Sequence, residues 1–293
     1  MDNNATLDAP GPWKHHRIHA RGIGFHAAIA GDEPGRHTVI LLHDFPLNWW
    51  SWRNQISALE EAGYRVIALD LRGMGASDLQ PGTTELEEIA KDIVAVAQAT
   101  GTPTYTVIGS GIGGTVAWTV AHMNPPELVS TVVINAEHPA RRSTRRGTRA
   151  VAETQFTARR LMDGTLVNTL LVEGAAPSST PQMETLVDAY AEPLRRVFAA
   201  NAALETRRAT RHPSGAAKKY LEKPASKPIW SVRGSEDGLI RYRKTNRDSE
   251  LAGQAITEVQ IPNSGHYPNE ETPTELNRIL LEHLQAAEDL GTS

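Results

Sequence analysis

Residues Thr106 to Trp118 read TVIGSGIGGTVAW, and the order of residue types in that run decides the kind of chain this is. It opens as a short apolar, β-branched strand and closes as a helix. Between the two lies a turn made of glycine and serine. A strand can pass this sharply into a helix only where the apex residue takes a strained backbone conformation and its neighbours lack bulk. Gly109, Gly113 and Gly114 supply the small neighbours, and Gly111 stands at the apex. The next amide, on Ile112, opens the helix, where unpaired N–H groups favour negative charge. The turn is built like a site, yet its central residue has no side chain. Ser110 reads as a packing or hydrogen-bonding residue, because a Gly-x-Ser-x-Gly turn centred on it would need glycine where Ile108 stands.

Outward from this turn, strand and helix patterns alternate. His37 to His43 (HTVILLH), Tyr64 to Leu69 and Leu128 to Asn135 are continuous apolar runs of strand length, as in parallel strands buried on both faces. Ser51 to Ala62, Thr84 to Thr100 and Ile112 to Met123 read as the helices between them, the first two stopped by Gly63 and Gly101. Residues 1–13 read as a loose tail. From 137 to 222 the pattern turns helical and rich in Arg and Ala. Alternation then resumes with strands at Pro228 to Val232 and Ala255 to Ile261 and helices near Tyr242 to Leu251 and at Thr274 to Ala287. Such alternation specifies a parallel sheet covered on both faces. The helical insertion is expected to sit over the C-terminal ends of the strands, where open α/β sheets bind ligands. The expected division is a core of residues 14–136 and 223–293 and a helical cap of residues 137–222.

At 293 residues the chain is long for one compact domain and short for two, which suits a core with an insertion. A net charge of -4 gives no electrostatic reason to expect nucleic acid or an anionic membrane. There is no cysteine, so disulfides, thiolate catalysis and zinc–cysteine sites are excluded. The N-terminal residues carry no apolar h-region, and no stretch approaches the ~18 apolar residues of a membrane span. The expected compartment is the cytoplasm. The histidines, including His15, His16 and His43, lack metal-ligand spacing, so no metal and no cofactor are expected.

Four further segments, taken with the central turn, give a resemblance. His43-Asp44-Phe45-Pro46 followed by Trp52-Arg53, Asp70-Leu71-Arg72-Gly73-Met74-Gly75-Ala76-Ser77-Asp78, Gly234-Ser235-Glu236-Asp237, and Gly265-His266-Tyr267-Pro268 with Glu270, Glu271 and Pro273 resemble the α/β-hydrolase superfamily, most closely its epoxide hydrolase and haloalkane dehalogenase branch. The resemblance implies an α/β-hydrolase fold: a mostly parallel eight-stranded sheet with helices on both faces and an inserted helical cap. It also implies the chain order nucleophile site, acid, histidine. His266 is then the site histidine and Asp237 its carboxylate partner, with Glu236 the runner-up. The backbone N–H groups of Phe45 and Ile112 become the oxyanion donors, His43 braces their loop, and the Phe45–Pro46 bond is cis. Trp49, Trp50, Tyr190, Tyr220 and Tyr267 are the substrate-contact candidates.

Two positions depart from that branch. Gly111 stands where the branch carries Asp and esterases carry Ser, and Asp44 stands where the His-Gly-x-Pro segment carries glycine. A carboxylate at 44 would either repel a developing oxyanion or serve as a replacement acid or base. Three functions follow. The first is an enzyme acting on a small molecule without a covalent nucleophile, with His266 and Asp237 as general base near neutral pH. The second is an ordinary hydrolase whose residue at 111 has been replaced. The third is a non-catalytic small-molecule binder. The partner expected is a small-molecule substrate, and the oligomeric state a monomer or homodimer. The basic run Arg141 to Arg149 reads as a solvated hinge, or as a means of capturing an anionic substrate.

Overall fold

The computed structural model describes residues 6–31, 36–79, 84–141, 156–240 and 247–291. The apolar runs form the middle of one eight-stranded sheet, of order β1-β2-β4-β3-β5-β6-β7-β8. Strands β3 (Thr38–Leu42), β4 (Arg65–Leu69), β5 (Tyr105–Ser110), β6 (Leu128–Ile134), β7 (Ile229–Gly234) and β8 (Thr257–Ile261) pair in parallel. β3 and β5 are buried along their whole length, so their side chains, alternating between the two faces, are covered on both, a setting that suits β-branched residues.

Two strands escape the alternating pattern. β1 (Lys14–Ala20) and β2 (Ile23–Ala30) form a hairpin that joins β4 antiparallel. The strands meet at Arg21 and Gly22, both with positive φ, and β1 alternates exposed and buried residues because it is the sheet edge. The expected loose tail is corrected in part. Residues 1–5 lie outside the described residues, but Leu7 and Ala9 are buried, and the Trp49 indole N–H donates to the Leu7 carbonyl.

Helices α1 (Arg53–Glu61), α2 (Leu86–Ala99) and α3 (Gly111–Met123) lie where the periodicity places them. Between β6 and β7 run α4 (Thr157–Met162), α5 (Thr165–Gly174), α6 (Thr180–Thr185), α7 (Val187–Ala191), α8 (Ala199–Arg211) and α9 (Gly215–Leu221), with no strand among the described residues of this stretch. Residues 142–155, which hold all of the basic run after Arg141, lie outside the described residues. α10 is Arg247–Ala252, and the earlier half of the expected helix at 242–251 is likewise outside them. α11 (Pro268–Glu271) and α12 (Pro273–Gly291) end the chain. Apolar side chains pack on both faces of the sheet: Ile40, Leu42, Ile67 and Val107 face α2 and α3, and Val39, Leu41, Val66 and Ile108 face α1 and α12. No helix among the described residues is long and apolar enough to cross a membrane.

Candidate active site

The register of the two central strands decides where the site lies. Leu42 of β3 pairs with Gly109 of β5. Residues 44 and 111 each stand two positions further on, so the two loops leave the sheet side by side, one strand spacing of ~4.8 Å apart. Gly111 has φ +50°, a conformation side chains rarely adopt. Around it Gly109 lies against the Gly113 backbone and Gly113 against the carbonyls of Leu42 and His43, so neither tolerates a Cβ.

The Asp44 side chain occupies the space above Gly111. A Cβ at position 111 would lie 1.9 Å from the Asp44 Cγ. The carboxylate thus stands where a side chain at the apex would project. Its Oδ1 accepts the Phe45 N–H at 2.7 Å and the Ile112 N–H at 2.8 Å. These are the two donors expected to form the oxyanion hole, and a side-chain oxygen of the protein fills it. The expected electrostatic conflict between Asp44 and a substrate oxyanion is therefore replaced by occupancy. His43 braces this loop: its Nδ1 meets the Asp44 carbonyl at 2.9 Å, and Nε2 accepts the Leu71 N–H at 3.2 Å. Burial pushes its pKa down, outweighing the nearby charge of Asp70, which fits a neutral ring donating at one nitrogen and accepting at the other. The Phe45–Pro46 bond is cis.

His266 lies between two carboxylates. Its Nε2 is 3.0 Å from Asp44 Oδ2, and its Nδ1 is 2.8 Å from Asp237 Oδ2. Asp237 is fixed in turn, since its Oδ1 accepts the N–H groups of Leu239 and Ile240, each at 2.8 Å. Glu236 is exposed. Burial alone would push the His266 pKa down. The charges and hydrogen bonds of Asp237 and Asp44 outweigh it and raise the pKa to about 10. Burial likewise pushes the Asp44 carboxyl up, but the His266 contact and the two amides hold it below the usual carboxylate range. The contacts to Asp44 and Asp237 thus favour the charged form of the His266 ring. A base titrating near neutral pH, as the sequence suggested, is not what this arrangement holds.

The histidine loop is clamped by a residue of its own segment and by two from elsewhere in the chain. Glu271 accepts three backbone N–H bonds, from Ala176 and Gly265 at Oε2 and from Tyr267 at Oε1. Asn135, at the end of β6 with φ +45°, donates to the Gly265 carbonyl and accepts the Gly234 N–H. The last residue of α5, Gly174, offers its carbonyl both to the His266 N–H at 2.7 Å and to the Gly238 N–H at 3.3 Å. The insertion is thereby tied to the histidine and acid loops together.

A cavity of about 90 Å³ opens beside these groups, lined among others by Asp44, Gly111, Ile112, His266, Leu170 of α5 and Arg207 of α8. None of the five expected substrate-contact aromatics lines it. Trp49 is buried beneath the loop, against Trp13 and His15. Trp50 packs on Tyr190 and under the Arg53 guanidinium. The Tyr190 hydroxyl is spent on Glu270, which Arg53 also holds by a two-pronged ion pair. Tyr220 sits on α9 beneath Lys223. Tyr267 packs edge-on against the His266 ring and donates to the Leu170 carbonyl. Arg207, Thr210 and Arg211 face the cavity instead, one helical turn apart on α8, and only contact across the chain reveals them. Ser110 is buried and not among the lining residues. Elsewhere Asp8, His15 and His26 bring ligand-type atoms within 4.8 Å of one another. There the two rings share a contact of 2.9 Å, and His26 gives its other nitrogen to Asp70.

The sequence profile of the α/β hydrolase fold matches residues 37–273. The chain belongs to the α/β hydrolase fold family. This family member is 30% identical over 281 residues to the AB hydrolase superfamily protein YfhM of Bacillus subtilis (strain 168), covering 92% of this chain and 96% of the relative. It is 37% identical over 131 residues to Epoxide hydrolase B of Mycobacterium tuberculosis, covering 43% of this chain and 36% of that relative. Cfl2 of Burkholderia cenocepacia superposes with a TM-score of 0.79 at 22% identity over 93% of this chain and 96% of its own, which establishes the shared fold.

Proposed function

We propose that this hydrolase-family chain hydrolyses a small epoxide in the cavity beside Gly111, with His266 and Asp237 moving the proton. One observation carries the proposal: His266 bridges Asp237 and the filled oxyanion hole at the cavity wall. The local likeness to epoxide hydrolases supports the substrate class. Residues 137–222 form the cap in this reading, closing the cavity through Leu170 and Arg207, over a core of residues 14–136 and 223–293. Asp237 holds the imidazole in one orientation and balances its charge. Residue 111 supplies no attacking group, and the reaction uses no cofactor. Trp50, Tyr190 and Tyr220 are left to packing and to the walls of the insertion.

The reading also accounts for the raised pKa. An imidazolium is the proton donor that a strained ether oxygen needs as its ring opens, and a general acid contributes ~10²- to 10⁴-fold. The test is diol formation from propylene oxide and styrene oxide. His266→Gln and Asp237→Asn each lower kcat/KM by about a hundredfold or more. A wild-type protein that hydrolyses p-nitrophenyl acetate but forms no diol from either epoxide refutes the proposal.

A further inference from the structure

We infer that Asp44, carried on the loop after β3, is the attacking group of this enzyme, and that Gly111 is its necessary complement. The inference rests on the epoxide reading of the site.

The oxyanion hole decides the matter. In acyl transfer the two amides must receive an oxygen of the substrate. Here the Phe45 and Ile112 N–H groups are both taken by Asp44 Oδ1. An oxyanion formed there therefore belongs to Asp44, and the tetrahedral carbon the hole serves is Asp44 Cγ. That requires Cγ to become an ester carbon first. Cγ reaches that state when an Asp44 oxygen attacks a saturated carbon of the substrate and displaces its leaving oxygen, and a carboxylate needs only a lone pair to do so. Oδ2, which faces His266, keeps further acceptor capacity beyond that one contact, and Asp44 lines the cavity. As a simple base Asp44 is poorly suited, because the hydrogen bonds on both oxygens and the imidazolium disfavour its protonation. Gly111 completes the pair, since any side chain at the apex would occupy the Asp44 carboxylate.

The steps balance. An Oδ2 lone pair forms a bond to an epoxide carbon as that carbon's bond to the ring oxygen breaks. The ring oxygen takes the proton from His266 Nε2, leaving a neutral imidazole and a hydroxyalkyl ester on Asp44. With Asp44 no longer charged, one of the two carboxylates that held His266 protonated is gone, and the ring becomes a base. It takes a proton from water as the water oxygen adds to Cγ, and the negative charge falls on Oδ1 between the two amides. Collapse breaks the bond from Cγ to Oδ2. The alkyl oxygen takes the proton from Nε2 and leaves as the diol, and the acid proton of Asp44 returns to His266. Each turnover thus places one Asp44 oxygen in the diol and one water oxygen in Asp44.

The experiment is a single turnover of propylene oxide by excess wild-type protein in ¹⁸O-water, followed by mass spectrometry of the diol and of the peptide containing residue 44. The expected result is unlabelled diol and a 44-containing peptide heavier by one ¹⁸O. Labelled diol with an unlabelled peptide overturns the inference while leaving the epoxide reading intact. A second arm needs no epoxide turnover: the His266→Gln protein is treated with allyl bromide, whose leaving group needs no proton. The expected outcome is one allyl group on the 44-containing peptide, absent from the His266→Gln, Asp44→Asn protein. The chain has no thiol to compete. An allyl ester at 44 without diol formation in the first arm supports Asp44 as nucleophile and sinks the epoxide reading. No adduct at 44 and no label in its peptide sinks the inference.

Discussion

Filling the space above Gly111 should cost clearly more stability while Asp44 is present than once it is removed. In Gly111→Ala the new Cβ meets the Asp44 Cγ at 1.9 Å, so the carboxylate must leave its place. It then gives up the Phe45 and Ile112 amides at 2.7 and 2.8 Å, hydrogen bonds to a charged group worth ~1.5–3 kcal/mol each. Part returns, because the displaced carboxylate enters a cavity of about 90 Å³ and is solvated there. The positive φ at 111 adds ~1–2 kcal/mol for any residue with a Cβ. The expected destabilisation is roughly 3–5 kcal/mol in the native background and roughly 1–2 kcal/mol in Asp44→Ala, where only the backbone cost remains. The coupling between the sites is then at least about 2 kcal/mol, near the upper end for residues in contact. Urea unfolding of the four proteins of the cycle measures it. Additive effects, within about 0.5 kcal/mol, would mean that the Asp44 carboxylate does not stand over Gly111 in solution, and both the filled hole and the nucleophile assignment would fall.

Other outcomes follow from the same geometry. Combining Asp44→Ala with Gly111→Asp returns a carboxylate to the hole from the neighbouring loop, and diol formation should recover at least tenfold over Asp44→Ala alone; no recovery would show that the backbone origin of the carboxylate matters as much as its place. His266 has a folded-state pKa raised from 6.5 to about 10, so its contribution to stability is complete below pH 6.5 and is lost as pH rises toward 10. The unfolding free energy of the wild type should fall over that window, and the fall should flatten in His266→Gln; equal slopes would contradict the charged sandwich. Glu271→Ala strips the acceptor from three buried amides at ~1–3 kcal/mol each, and should lower both the unfolding midpoint and kcat, whereas Glu271→Gln should restore part of each.

What the sequence made legible follows its physics. The central strands show because burial on both faces leaves an unbroken apolar run, and the turn at Gly111 shows because only small residues fit it. The β1–β2 hairpin does not show, because β1 is a polar edge strand and β2, though buried throughout, has its apolar run broken by Gly24 and His26. His266 and Asp237 stand in short local segments and were visible, and the structure brings them together. The meaning of Asp44 and Gly111 was not visible. Gly111 reads as a missing side chain and Asp44 as either a conflict or a replacement acid or base, and only the pairing of Leu42 with Gly109 shows that they share one space. The aromatic candidates failed for a related reason: a ring in the right segment is drawn to the nearest apolar packing or buried acceptor, as Tyr190 is to Glu270. Arg207 and Arg211 reach the cavity from a helix far along the chain, a placement that no local pattern encodes.

The shared carbonyl at the end of α5 has a mechanical consequence. Because Gly174 is bonded at once to the backbone of His266 and of Gly238, and because Ala176 two residues on is held by Glu271, this helix cannot swing away as a door without pulling the proton-transfer pair out of line. α5 should therefore stay fixed relative to the loops that carry His266 and Asp237. A substitution that loosens the end of this helix should disturb both loops at once.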